Sequence, residues 1–203
     1  MHDLLTFNAA VHGSAVRLGD GGRRAVRSPP DAIAGGAIVF SASPVKIDRR
    51  VCIEVRQRCG PTAPWSGALR VGYTVVDPAA FVAGNRQLPA FACPDLAEER
   101  SGCWLRALPE SLFVRSATRL TVCVESSTFD GGGGGGASLL VNNEPKGMLF
   151  DKLPTDRPLW LVVDIYGNTT GVRLVHAGIV VLELVPSSLK ADCNREYLDE
   201  MIC

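Results

Sequence analysis

Val51, Ile53 and Val55 alternate with Cys52, Glu54 and Arg56, and Leu120, Val122 and Val124 alternate with Thr121, Cys123 and Glu125. A period of two places every second side chain on the same face, so each run reads as a half-buried β-strand. Gly171–Val175 repeats the pattern. Further strand candidates are 14–18, 25–28, 37–40, 68–76, 103–107, 138–142 and 159–166. The last two are nearly all apolar, as expected of strands covered on both faces or at a sheet centre. Between the runs, 21 glycines and 13 prolines supply turns. Helical signal is confined to single turns. Asp77-Pro78-Ala79-Ala80-Phe81 places an N-cap acid before a first-position proline, and Pro94–Glu99 offers a second short turn. Many short strands, turn residues between them and no long helix specify an all-β fold, an antiparallel sandwich.

A chain of 203 residues with 46% hydrophobic residues can bury one large core. Lys plus Arg equals Asp plus Glu, 21 each. That balance argues against nucleic-acid binding, and pairs such as Arg49-Arg50 read as solvated strand surface. No segment approaches the roughly 18 apolar residues of a membrane span. Met1-His2-Asp3-Leu4-Leu5 has an acid where a signal peptide carries bases. The seven cysteines are odd in number, irregularly spaced and without a C-x-x-C pair, so the expectation is reduced thiols in a cytoplasmic protein. Cys52 and Cys123 read as small buried hydrophobes. Asn168-Thr169-Thr170 matches a glycosylation sequon but reads as a turn in that setting.

Catalytic chemistry has no foothold in the pattern. His2, His12 and His176 stand outside any metal-ligand spacing. Ser66-Gly67 lacks a neighbouring base and a nucleophile elbow. Asp77, Asp95 and Asp164 each have a structural task available: a cap, a turn and a strand-end hydrogen bond. The run Gly131–Gly136 invites comparison with a phosphate-binding loop. Such a loop leads into a helix, whose N-terminal N–H groups face the anion. Here Ala137-Ser138-Leu139-Leu140-Val141 follows, which is strand-like, so the run reads as a long hairpin tip that tolerates insertion. Of the tryptophans, Trp104 and Trp160 suit core packing, and Trp65 begins Trp-Ser-Gly at a strand entry.

Four blocks together resemble the Neuralized homology repeat (NHR): Phe40–Val45, the stretch WSGALRVGYTVVDP from Trp65 to Pro78, Leu88–Glu110, and PLWLVVDIYGNTTGVRLV from Pro158 to Val175. Their order matches the family's, and they run through most of the chain. The stretch 5–185 is read as the repeat and 186–203 as a polar tail or linker. QRCGPTAP (Gln57 to Pro64) and the glycine run depart from the family pattern as longer loops.

The resemblance implies a β-sandwich of SPRY or lectin-like type and a protein-interaction role. In Neuralized-type ubiquitin ligases the domain recognises substrates, among them Notch ligands, while a C-terminal RING recruits the charged E2 enzyme. A RING needs paired Cys and His ligands for two zinc ions, and only Cys193 and Cys203 follow the repeat. Zinc and an E2 partner therefore enter only if a RING follows Cys203; this chain itself implies no cofactor and no catalytic centre. The leading expectation is a substrate-recognition module that grips short segments such as Notch-ligand cytoplasmic tails. The alternative is an adaptor or scaffold without ligase function, and a lectin-like carbohydrate binder or enzyme ranks last. The candidate partner-binding residues are Trp65, Arg70, Tyr73, Asp95 and Tyr166, chosen for residue type near expected strand ends.

Overall fold

In the computed structural model, residues 5–29, 35–57, 69–81, 88–93, 96, 102–113, 117–126 and 134–175 are described. Twelve strands and one four-residue helix lie among them: β1 (Phe7–His12), β2 (Val16–Gly19), β3 (Arg24–Arg27), β4 (Ile38–Ser41), β5 (Arg50–Gln57), β6 (Arg70–Thr74), α1 (Pro78–Phe81), β7 (Cys103–Ala107), β8 (Ala117–Ser126), β9 (Gly134–Val141), β10 (Glu144–Pro154), β11 (Trp160–Asp164) and β12 (Thr169–Val175). They form two antiparallel sheets. One has the order β1-β4-β11-β6-β7, the other β10-β9-β8-β5-β12-β3-β2.

Each stretch expected from alternation has a strand as its counterpart, and the alternation sets the core. Ile53, Val55, Leu120 and Val122 of the seven-stranded sheet join Val39, Val71, Leu161 and Val163 of the five-stranded sheet in one buried cluster. Removing such side chains from water at about 25 cal/mol per Å² is the main force holding the two sheets face to face. The five-stranded sheet is covered on its other side too. Ile38, Phe40 and Val162 point away from the first core and meet Ala92, Leu96 and Phe81 in a second cluster. Phe40 and Phe81 stack with ring centroids 5.2 Å apart. The α1 turn that carries Phe81 begins as expected, with the Asp77 carboxylate accepting the Ala79 N–H at 2.9 Å.

β1 and β10 carry no alternation that would announce them. In β1 the register shifts between Phe7 and His12. Phe7 therefore joins the inter-sheet core and Val11 the outer cluster, although an offset of four positions would otherwise put them on the same face. β10 is an edge strand with three register shifts, and its Pro145, Lys146 and Gly147 face a single neighbour. The β9–β10 connection is the two-residue turn Asn142-Asn143, with φ of 51° and 70°. Asparagine tolerates such angles and fits the turn to the twist of the flanking strands.

The glycine run is only partly a loop. Gly134, Gly135 and Gly136 belong to β9, where Gly135 pairs with Ser126 and Gly136 with Glu125; Gly131–Gly133 lie outside the described residues. A Cβ on Gly135 would overlap the Glu125 carbonyl, so this position needs glycine for close approach of backbone. Gly135→Ala should lower stability by about 1–3 kcal/mol, read as a reduced thermal midpoint.

Tyr73 does not reach a binding surface. Its side chain is fully buried between the sheets, edge-on to Phe150 with centroids 6.4 Å apart. The hydroxyl has no hydrogen-bond partner among the described residues. Burial pushes its pKa far above the ordinary tyrosine value, followed by a smaller push from Cys123, so it stays neutral. Strand parity explains the placement: Val71 and Tyr73 point inward, Arg70 outward. Because a buried unpaired hydroxyl is a net penalty, Tyr73→Phe should leave stability unchanged or raise it by about 1 kcal/mol in denaturant titration.

Candidate functional site

β11 ends at Asp164, and its parity sends Val163 and the following Ile165 into the core. Asp164 is thereby forced onto the outer side of the sheet, beneath residues 88–93, where its side chain is 1% exposed. In the adjacent strand β6, Arg70 lies directly opposite Asp164. The Arg70 guanidinium donates to the Asp164 carboxylate at 3.0 Å. The same carboxylate oxygen accepts the Ala92 N–H at 3.0 Å. This carboxylate thus fulfils its expected hydrogen-bonding task and also pins the segment around Ala92 to the sheet.

The guanidinium does more than neutralise an acid. Its carbon lies 3.9 Å from the Tyr166 ring centroid and 5.9 Å from that of Phe91. The two rings meet edge to face at 6.0 Å. A cation over two aromatic faces gains from both ring quadrupoles. Tyr166 is held by the turn that follows β11, where the Thr169 N–H bonds the Tyr166 carbonyl at 3.1 Å. From β3, Arg27 donates to the carbonyls of Ile165 at 3.3 Å and Gly167 at 2.8 Å, which fixes the turn's position. Phe91 and Tyr166 are half-buried, and the Arg70 side chain is 15% exposed. The result is an aromatic–cation surface with part of each ring open.

Burial raises the Asp164 carboxyl above its ordinary value; the Ala92 N–H, Arg70 and Arg27 pull it partly back. A carboxyl with a raised folded-state pKa binds its proton more tightly when folded. Its contribution therefore weakens as pH climbs from the ordinary carboxylate range through the raised value.

Of the residues expected at a partner surface, Arg70 and Tyr166 come together here. Tyr73 is in the core, and Trp65 and Asp95 lie outside the described residues. Phe91, Asp164 and Arg27 complete the site. Phe91 sits in a Pro/Ala/Cys-rich stretch without periodicity, and the cross-strand meeting of Asp164 with Arg70 spans 94 positions of sequence. Among the described residues there is no group of three or more His, Cys, Asp or Glu suited to a metal ion, and no helix long and apolar enough to cross a membrane.

The family model described as Neuralized matches residues 7–176. The chain belongs to the Neuralized family. It is 33% identical over 182 residues to Protein neuralized of Drosophila melanogaster, covering 89% of this chain and 22% of that protein. It is 36% identical over 200 residues to the human E3 ubiquitin-protein ligase NEURL3, covering 98% of this chain and 68% of the relative. The chain thus spans about a fifth of the fly relative's length and about two thirds of NEURL3. The crystal structure of the Drosophila neuralized NHR1 domain is similar with a TM-score of 0.71 and 34% identity, covering 86% of this chain and 99% of that one. The TRIM65 PSpry domain, 13% identical with a TM-score of 0.50, shares the fold alone. The all-β, SPRY-like antiparallel sandwich expected from the sequence is therefore the fold of this Neuralized chain.

Arg70→Gln removes the countercharge of a buried carboxylate and should destabilise the domain by about 3 kcal/mol at neutral pH. Without its partner, Asp164 is raised further, so lowering the pH protonates it and removes the uncompensated charge. The deficit should narrow on moving from pH 7.5 toward pH 5 in denaturant titration. A deficit that ignores pH would show that the loss is one of packing.

Proposed function

We propose that this Neuralized domain is the substrate-recognition module of a Neuralized-type E3 ubiquitin ligase, acting in the cytoplasm. The observation that carries the reading is the Arg70 guanidinium stacked on Tyr166 and flanked by Phe91 at the surface. Aromatic residues and arginine dominate protein-binding hot spots, because they offer large contact area at a small entropic penalty. Arg70 has five N–H donors, and among the described residues only Nη1 is engaged. The remaining donors are left for a partner's backbone carbonyl or acidic side chain. An extended segment crossing this surface would set an apolar side chain against Tyr166 and Phe91 and an acceptor against Arg70.

Segments from the cytoplasmic tails of Notch ligands are the substrate class proposed. Transfer of ubiquitin itself belongs to a zinc-bearing RING and its E2 enzyme, neither of which these residues provide. The support for ligase membership is the kinship with proteins named E3 ubiquitin-protein ligases.

Tyr166→Ala should weaken binding of such a tail segment about tenfold or more in calorimetric titration. Tyr73→Phe, altered only in the core, should bind as the unaltered chain does. Equal affinity for the Tyr166→Ala variant would move the interaction surface elsewhere on the domain.

A further inference from the structure

The outer face of the seven-stranded sheet carries a separate feature. Arg24 of β3 lies directly opposite Arg173 of β12. Like charges in direct cross-strand register oppose sheet formation. Two positions along, Gly171 sits between Val26 on one side and Arg56 on the other. Having no side chain, Gly171 leaves a hollow of about 70 Å³. Arg24, Arg56 and Arg173 surround it, with Val26 and Asp20 completing the wall. Its floor is tightly built: a Cβ on Gly171 would stand 2.8 Å from the Val26 side chain and 3.0 Å from the Ala25 carbonyl oxygen.

The charges are arranged for an occupant. Asp20 takes one of the three arginines, pairing with Arg173 at 3.0 Å and leaving that guanidinium 43% exposed. The Arg24 and Arg56 side chains are exposed and make no hydrogen bond or ion pair with any described residue. Among the residues lining the hollow the balance is therefore two positive charges, in a chain whose formal net charge is zero. A phosphoryl monoester carries about −1.5 to −2 at neutral pH and three acceptor oxygens that suit guanidinium forks. The volume fits that group and lies far below the roughly 300–1,000 Å³ of a pocket for a nucleotide-sized ligand. A single carboxylate would leave one positive charge unanswered.

We propose that this hollow is a phosphoryl-binding site that docks a phosphoserine- or phosphothreonine-bearing segment of a partner protein. A flat membrane surface is the less suitable source of the phosphate. Asp20 and Glu54 interrupt the arginines of this face, with Glu54 directly opposite both Arg173 and Arg119, and an anionic bilayer rewards an uninterrupted basic patch. The site lies on the opposite face of the sandwich from Arg70 and Tyr166, so it would read a modification independently of the segment held there.

The test is an NMR titration of the chain with N-acetyl-phosphoserine amide, inorganic phosphate and N-acetyl-serine amide. It is followed by binding to a degenerate phosphoserine peptide library and to phosphatidylserine/phosphatidylcholine vesicles. The phosphoserine amide should produce saturable shifts centred on Arg24, Gly171 and Arg173, and the serine amide none. Arg24→Gln and Arg56→Gln should each weaken that binding about tenfold with a thermal midpoint no lower than that of the unaltered chain, since Arg24→Gln removes a like-charge cross-strand pair, and Arg56→Lys should restore only part of it. The peptide library should be retained in its phosphorylated form and lost with the same variants. Absence of saturable shifts, or binding by both Gln variants as tight as by the unaltered chain, would overturn the site. Retention on vesicles but not on phosphopeptides, or inorganic phosphate binding as tightly as every phosphopeptide, would overturn the assignment to a protein segment.

Discussion

Strand β11 is buried on both faces, and the domain is arranged around that constraint. Leu161 and Val163 face the seven-stranded sheet, Val162 faces the outer cluster, and β4 and β6 pair along the strand's two edges. Such a strand has no solvent side on which to place a charge. Asp164 at its end is tolerated because Arg70 and the Ala92 N–H meet it within hydrogen-bonding distance. The same pairing holds the 88–93 segment over the sheet and positions Arg70 beneath Tyr166. A structural requirement of the core thus creates the aromatic–cation surface.

The two sheets use their outer faces differently. The five-stranded sheet covers its outer face with the α1 turn and the segment around Ala92, so its exposed chemistry is concentrated at one end. The seven-stranded sheet leaves its outer face open in the region of Arg17, Arg24, Arg56 and Arg119. Side chains there answer to solvent and to one another rather than to a packed layer. This is why charged residues accumulate on that face while the inner positions of the same strands remain Val, Ile and Leu.

Much of the architecture was legible in the residues. Period-two runs marked β5, β8 and β12, and the continuous apolar run 159–166 marked the doubly covered β11. Asp77 announced the α1 cap. β1 and β10 were not legible, because bulges move their side chains from one face to the other and edge positions admit proline, glycine and lysine. Tyr73 shows the limit of residue type as a guide. Tyrosine is common both in cores and at binding surfaces, and only the parity of β6 against its neighbours put this one inside. The second half of the glycine run had a further reason to be glycine: Gly135 admits the Glu125 carbonyl of the neighbouring strand.

The sequence by itself determined that the chain is an all-β sandwich of the Neuralized kind, since alternation, turn residues and family blocks are local properties of the chain. Only the tertiary structure decided which residues share a surface. Arg70, Phe91, Asp164 and Tyr166 come from separate stretches of the chain, as do Arg24, Arg56 and Arg173. They converge because strand order and register, fixed by burial of the inner faces, bring distant positions side by side. No short-range pattern encodes that proximity.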